Sequence, residues 1–308
     1  MIENIGKVKL NLQYYSGKDL YSDGDVEDEL LEIVSQYEEK HFDTIIKERN
    51  SWPVLYHLSD MRQNIVTWYP FKDNAAILEV GAGCGAITGA LTDRADRVVA
   101  LDLSKKRSTI NAMRNREKQN LEIMVGNFND IQSNIRERFD YITLIGVFEY
   151  AGSYIDEENP QELFLERINA LLKEGGKILI AIENRFGLKY FAGCREDHFS
   201  LFGEGISGYN STKGVRTFTR NEWIRLLDKC GFENYKIYYP YPDYKFPTTI
   251  YSDDYMPKSG ELTNNIRNFD GDRIMLFDET EAFDSIIENE RFEEYSNSFF
   301  IEIGRKES

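Results

Sequence analysis

The run Ile77-Leu78-Glu79-Val80-Gly81-Ala82-Gly83-Cys84-Gly85-Ala86 reads as a hydrophobic strand that ends in a glycine turn and continues into a helix. Glycines let the backbone turn tightly and approach a ligand closely. The first N–H groups of the following helix can meet a negative or polar ligand group. Asp102 stands 21 residues after Gly81, at the end of the next apolar run. A carboxylate there can accept both hydroxyl protons of a ribose. Loop and acid together form a nucleoside-binding constellation. Scored as Gly81-x-Gly83-x-x-Ala86, the loop also fits the dinucleotide fingerprint, so a nicotinamide-dependent oxidoreductase stays open. Glu79 argues against it: a carboxylate ahead of the turn suits a ligand with an amino group and sits awkwardly beside a pyrophosphate.

The elements that must position these residues follow from the apolar pattern. Strands are expected at Ala76–Val80, Arg97–Leu101, Leu121–Val125, Tyr141–Val147 and Lys177–Ile182, with helices near Ala86–Arg94, Lys105–Lys118 and Pro160–Lys173. This alternation argues for a parallel, doubly wound sheet. Thr219-Arg220-Asn221-Glu222 is a capping box, and Gly231 is the stop of the helix it opens. Two further strands are expected at Tyr235–Tyr239 and Ser298–Ile303, and a helix at Glu279–Glu294. Ahead of the sheet, Val8–Leu12 alternates as a strand or extended arm. Val26, Leu30, Ile33, Val34, Tyr37 and Ile45 then fall at helical spacing, and a second helix opens at Pro53 with Ser51 as its cap. The expected organisation is a helical cap over 1–70 and a main domain over 71–308. Long insertions at 186–218 and 241–296 interrupt that domain, and connections of such length tend to be lids.

These motifs resemble the class I S-adenosylmethionine-dependent methyltransferases, over roughly 75–240 and the last strand. Glu79–Gly85 looks like that family's first motif and Asp102 like its ribose-binding acid. Val125-Gly126-Asn127-Phe128 falls where the family contacts adenine, with Asn127 where many members carry Asp. Ile145-Gly146-Val147-Phe148-Glu149-Tyr150 matches the end of the fourth strand, which lines the transfer site, and Leu171–Lys177 matches the turn before the fifth, with Glu174 in place of a common Pro. The resemblance implies an α/β fold: a Rossmann-like doubly wound seven-stranded sheet, mostly parallel with the last strand antiparallel, with an N-terminal helical section and lid insertions. It also implies S-adenosyl-L-methionine as cofactor, held by Glu79, Gly81, Ala82, Gly83, Gly85, Asp102, Leu103, Asn127, Phe128 and Gly146. Glu183 and Asn184, at the end of the fifth strand, point to the crevice where such sheets bind ligands.

On the acceptor side, His198 in Arg195-Glu196-Asp197-His198-Phe199 is the candidate base, with Glu149 beside it in role. An imidazole with a pKa of about 6.5 can take a hydroxyl proton at neutral pH. Glu196 or Asp197 could raise that pKa. His41 and His57 lie on expected helices and read as structural or exposed. The run Tyr238-Tyr239-Pro240-Tyr241-Pro242-Asp243-Tyr244 reads as a sugar-stacking face or as strand packing.

The chain is also similar to methyltransferase modules found with bacterial surface-glycan enzymes. A small-molecule or glycan acceptor and O-methylation are therefore expected. A non-catalytic nucleoside-binding interaction module is the remaining alternative.

Composition narrows the field. The 308 residues carry 37 Lys and Arg against 53 Asp and Glu, a net charge of −16. Nucleic-acid affinity is largely electrostatic, so no nucleic-acid partner is expected. The Asn/Asp-Pro-Pro-Tyr/Phe signature of enzymes that methylate base amino groups is missing. The three cysteines are far apart and form neither a disulfide framework nor a zinc pattern, so no metal is expected. No apolar run approaches the ~18 residues of a membrane span, and the first residues have no signal-peptide pattern. A cytoplasmic bacterial protein is the expectation.

Overall fold

The structure is a computed structural model and describes residues 1–19, 24–155, 157–265 and 272–306. The chain divides into two compact units, Met1–Leu144 with Ala170–Lys177, and Ile145–Asn169 with Ile178–Ser308.

The first unit holds strands β1 (Ile2–Ile5), β2 (Val8–Tyr14), β3 (Ala76–Val80), β4 (Arg97–Asp102), β5 (Leu121–Gly126) and all but the last residue of β6 (Phe139–Ile145), in the order β1-β2-β5-β4-β3-β6. β3 pairs in parallel with β4 and β6, and β4 with β5. Every side chain of β3 is buried, the pattern of a central strand covered on both faces. Helix Lys105–Arg114 opens on Ser104, whose side chain accepts from the N–H of Arg107 at 3.2 Å.

The stretch 1–70 contains strands as well as helices. β2 runs parallel to β5 and β1 folds back antiparallel on β2. The expected helix from Asp25 through Ile45 is broken: Val26–Gln36 and Phe42–Arg49 are separate, with Glu38 extended between them. The helix opening at Pro53 is Trp52–Leu58, and Ser51 caps it as expected. Leu30, Ile33, Val34, Phe42, Ile45, Val54 and Leu58 pack on Cys84 of the glycine loop and on Ile110. This section is therefore part of the hydrophobic core beneath the loop. Arg114, its side chain almost wholly buried, fastens it further by pairing with Glu39 at 2.6 Å and donating to the carbonyl of His57 at 2.7 Å.

The second unit holds the end of β7 (Leu172–Glu183), whose first residues belong to the first unit, with β8 (Tyr235–Tyr241), β9 (Thr249–Ser252) and β10 (Ser298–Gly304), in the order β7-β10-β8-β9. β10 and β9 are both antiparallel to β8. The capping box is complete: Thr219 Oγ1 accepts from the N–H of Glu222, and the Glu222 carboxylate accepts from the N–H of Thr219 at 2.8 Å. Gly231, with φ of 74°, ends that helix.

The described residues form ten strands, which corrects the expected seven. Beyond the seven, β1 and β9 are new, and β2 forms over the stretch from Val8 that was expected as a strand or extended arm. β9 has four residues inside a long insertion, too short for alternation to register. The expected helix Glu279–Glu294 stops at Glu288 and resumes over Phe292–Tyr295, with Glu290 at φ of 56° between the pieces. Residues 266–271 of the insertion 241–296 lie outside the described residues. Among the described residues no helix is long and apolar enough to cross a membrane.

Candidate active site

The glycine loop begins where β3 ends. The N–H groups of Gly81 and Ala82 both donate to the carbonyl of Leu101 at 2.9 Å, tying the loop to β4. Gly81, Gly83 and Gly85 all have positive φ, a conformation side chains with a Cβ rarely adopt. At Gly85 a Cβ would stand 2.5 Å from Asn111 Oδ1, so glycine is also required by the close approach of helix Lys105–Arg114. At Gly83 a Cβ would meet nothing within 4 Å. That open space beside exposed backbone is what a ligand-cradling turn needs.

Asp102, at the end of β4, is partly exposed. Its carboxylate accepts from the N–H of Gly83 at 2.8 Å and from that of Ser104 at 2.9 Å. Burial of the group pushes its pKa up against these two donors and Arg107. Leu103 is the partly exposed residue next to it. Asp102 pairs with Val125 across the neighbouring strands, so Asn127 and Phe128 follow at the adjacent strand end. Asn127 Oδ1 caps the short helix Phe128–Gln132, accepting from the N–H of Asn129 at 2.9 Å, and Phe128 is buried.

Glu79 is buried, and its Oε2 accepts from Thr88 Oγ1 at 2.6 Å. Thr88 in turn accepts from Asn111 Nδ2 at 3.0 Å, and Asn111 Oδ1 accepts from Asn115 at 2.9 Å. This buried polar chain locks the strand before the loop to the helices after it. Burial pushes the Glu79 carboxyl up to about 8, although the Thr88 hydroxyl favours the charged form. The first unit thus gathers the loop, Asp102, Leu103, Asn127 and Phe128 at neighbouring strand ends, with Glu79 anchored beneath. Gly146 belongs to the second unit. Its φ is 69°, and a Cβ there would stand 2.8 Å from the hydroxyl of buried Tyr244.

The second unit assembles a cluster of charged side chains. Glu149 sits on a single 3-10 turn, Phe148–Tyr150, and Glu183 ends β7; each is 1% exposed. His198 Nε2 lies 3.6 Å from Glu149 Oε1, and its Nδ1 lies 2.9 Å from Glu196 Oε1. Glu196 also accepts from the N–H groups of His198 and Phe199, both at 2.8 Å, and from Tyr209 at 3.2 Å. Tyr150 sets its ring edge-on to the imidazole, with centroids 5.5 Å apart. Lys245 Nζ lies 2.8 Å from Glu183 Oε1 and also pairs with Asp197. Lys189 meets Asp197 at 3.0 Å, and the Tyr190 hydroxyl donates to the same carboxylate. Glu149 Oε2 and Glu183 Oε2 are both buried without a hydrogen-bond partner.

Burial and the nearby Glu183 push the Glu149 carboxyl up, against the attraction of His198. Burial opposes charge on His198, but the carboxylates of Glu149 and Glu196 prevail and hold its pKa well above 6.5. Glu196 was expected as a neighbour that could raise the His198 pKa above about 6.5; Glu149 is the second such neighbour. Asp197 is turned away to the two lysines, which hold its carboxyl below the usual range despite burial.

Sequence reasoning identified Glu149, Glu183 and His198 but missed Lys189, Tyr190 and Lys245. Lys245 directly follows the aromatic run Tyr238–Tyr244. Tyr239, Tyr241 and Tyr244 of that run are buried, and Tyr241 donates to Asn265 at 2.9 Å, so these rings pack. Asn184 is a structural residue: its amide donates to the carbonyls of Glu294 and Ser296, each at 2.8 Å.

A family model described as a methyltransferase domain matches residues 78–180, which run from β3 through the glycine loop, Asp102 and Glu149 into β7. Residues 78–180 carry the methyltransferase domain of the class I S-adenosylmethionine-dependent superfamily. This methyltransferase is an enzyme, and its cofactor is S-adenosyl-L-methionine. The match decides against the nicotinamide-dependent and non-catalytic alternatives. The methyltransferase is 24% identical over 225 residues to the ribosomal RNA small subunit methyltransferase A of Borreliella burgdorferi strain ZS7, covering 73% of this chain and 68% of that one. Among solved structures it is similar to phosphoethanolamine N-methyltransferase 1 of Haemonchus contortus, at 11% identity and a TM-score of 0.49, over 93% of this chain and 50% of that one. A chain from the Haloferax volcanii complex containing the Trm112 methyltransferase activator is similar at 17% identity and a TM-score of 0.49, over 88% and 99%.

Proposed function

We propose that this methyltransferase methylates a hydroxyl of a small-molecule or glycan-type acceptor. The observation that carries the reading is the pair of buried, unpartnered carboxylate oxygens on Glu149 and Glu183. Burial without a partner costs about 1–3 kcal/mol per group, more for a charge. Hydroxyl groups of an acceptor would satisfy both.

The cofactor supplies an electrophilic methyl group, and the electron pair of the broken C–S bond cancels the sulfonium charge. The glycine loop, Gly81 to Gly85, and Ala82 would hold it by backbone, Asp102 would accept from its ribose, and Leu103, Asn127 and Phe128 would border its adenine. Glu79 would keep the loop in place and balance an amino group. On the acceptor side, a hydroxyl is a poor nucleophile and needs a base. Glu149, with its raised pKa, takes the hydroxyl proton as the oxygen lone pair forms the new C–O bond. His198 is its charged partner and takes the proton when it is itself neutral. The insertions 186–218 and 241–296 carry His198, Asp197, Lys189 and Lys245, so they act as lids that complete the acceptor site.

RNA is the competing acceptor, because the Borreliella burgdorferi relative is named a ribosomal RNA methyltransferase. The net charge of −16 disfavours it, since a phosphate backbone would be repelled. The buried free cysteines suit the reducing cytoplasm. The test is transfer of labelled methyl to parallel panels of polyols and glycosides, amines, and ribosomal RNA. Label in the hydroxyl panel supports the reading. Label confined to amines or to RNA overturns it.

A further inference from the structure

We propose that Glu149, Glu183 and His198 form a binding site for one divalent first-row transition cation, of the Mn²⁺ class. One ligand atom from each of the three residues lies within 4.8 Å of the others, a spacing at which a single ion can touch all three. A carboxylate–carboxylate–imidazole donor set suits such cations.

Three further observations point to a ligand. First, the second oxygens of Glu149 and Glu183 have no partner, although both residues are 99% buried (1% exposed). Second, the imidazole is already oriented. Its Nδ1 is bound to Glu196 at 2.9 Å, and Glu196 is itself fixed by two N–H groups at 2.8 Å. A carboxylate on the far nitrogen fixes the tautomer of a ligating histidine and leaves Nε2 to face the metal. Here Nε2 faces Glu149 at 3.6 Å, too far for a hydrogen bond between them. Third, the charges do not balance. The ion-paired network holds four carboxylates, Glu149, Glu183, Glu196 and Asp197, against two lysines, Lys189 and Lys245. A cation on Nε2 displaces the imidazole proton, and two negative charges then remain, the charge of one dication.

The role follows from the proposed acceptor and rests on that reading. A cation here acts as a Lewis acid toward the acceptor hydroxyl, lowering its pKa so that Glu149 can take the proton. Cation binding itself does not depend on the acceptor.

The experiment titrates Mn²⁺ alone into the full chain after dialysis against chelator, following the loss of the free-ion signal by electron paramagnetic resonance. One site per chain is expected. Glu183→Gln keeps the side-chain shape and should weaken binding at least 10-fold. Glu196→Gln removes only the support of the imidazole and should weaken it by about 10–100-fold. Retained affinity for S-adenosylhomocysteine in each variant verifies the fold. Absence of a stoichiometric site up to millimolar Mn²⁺, or a site unchanged in Glu183→Gln, overturns the proposal. Methyl transfer to a hydroxyl acceptor that persists undiminished in the chelated protein overturns the Lewis-acid role and leaves the acceptor reading standing. Mn²⁺ binding without transfer to any hydroxyl overturns the acceptor reading and leaves the cation site standing.

Discussion

The glycine loop of the first unit and the charged cluster of the second solve opposite problems. The loop presents backbone. Its donors and turns come from one short run, and its single distant partner, Asp102, is bound to it through the N–H of Gly83 at 2.8 Å. The cluster presents side chains. Glu149, Glu183, Glu196 to His198 and Lys245 come from separate segments, and each charge is tolerable only because the others are in place. A backbone site is fixed by local conformation and is robust to replacement of its neighbours. A buried ionic site has no such insurance, because an ion that loses its partner keeps its full desolvation cost.

The sharpest way to break this contrast is Asp197→Ala. It leaves Lys189 and Lys245 buried and facing each other. Removing one partner of a buried pair costs about 3–5 kcal/mol, and denaturant titration should show a loss of that order. The same group sets an acid limit. Its pKa is lower folded than unfolded, so its stabilisation is complete above the unfolded value of about 3.9 and is lost as the pH falls toward the folded one. An unchanged midpoint in Asp197→Ala would mean that the cluster is not a mutually dependent ionic network.

His198→Gln tests the chemistry of the same cluster. Turnover should fall by ~100-fold or more, the scale of lost acid–base assistance, while S-adenosylhomocysteine affinity stays within about twofold. Full activity would place proton transfer elsewhere and favour an acceptor that is already nucleophilic.

In the loop, Asp102→Ala should weaken S-adenosylhomocysteine binding by about 1.5–3 kcal/mol, the order for a hydrogen bond to a charged group. The strands should still form, because the residue ends β4 and its lost partners are two N–H groups. Unchanged affinity by calorimetry would remove the ribose assignment.

The smallest effect sharpens the comparison from within the first unit. The Glu79 carboxyl is pushed up to about 8. The fold therefore retains a proton that the unfolded chain has lost, and its stability falls as pH rises from about 4.5 through about 8. Glu79→Gln lacks this dependence. It should gain at least on the order of 1 kcal/mol over the parent by pH 7.5 in thermal melts without cofactor, since each pH unit between the two pKa values contributes up to about 1.4 kcal/mol. Parallel melting curves for the two proteins from pH 5 to pH 8.5 would show that the polar chain through Thr88 leaves Glu79 ionised.

The strand–glycine–helix run, the spaced Asp102 and the alternation of apolar segments were sufficient to predict β3 to β6 and the loop. The physical reason is that strand burial, a positive-φ turn and a capped helix are properties of contiguous residues. The capping box at Thr219 and the stop at Gly231 were legible for the same reason. The edge strands β1 and β9 and the helix breaks at Glu38 and Glu290 were not, because a short strand on a sheet edge is selected by its partner and carries little local pattern. The candidate site divides along the same line. Sequence alone determined that Glu149, Glu183 and His198 were titratable groups near strand ends or in irregular chain. Only the tertiary structure decided that they converge, that Glu196 and Glu149 hold the imidazole in its charged form, and that Lys245 and Lys189 answer Asp197. Electrostatic energy in a buried cluster depends on distance and desolvation, and neither is written in the order of the residues.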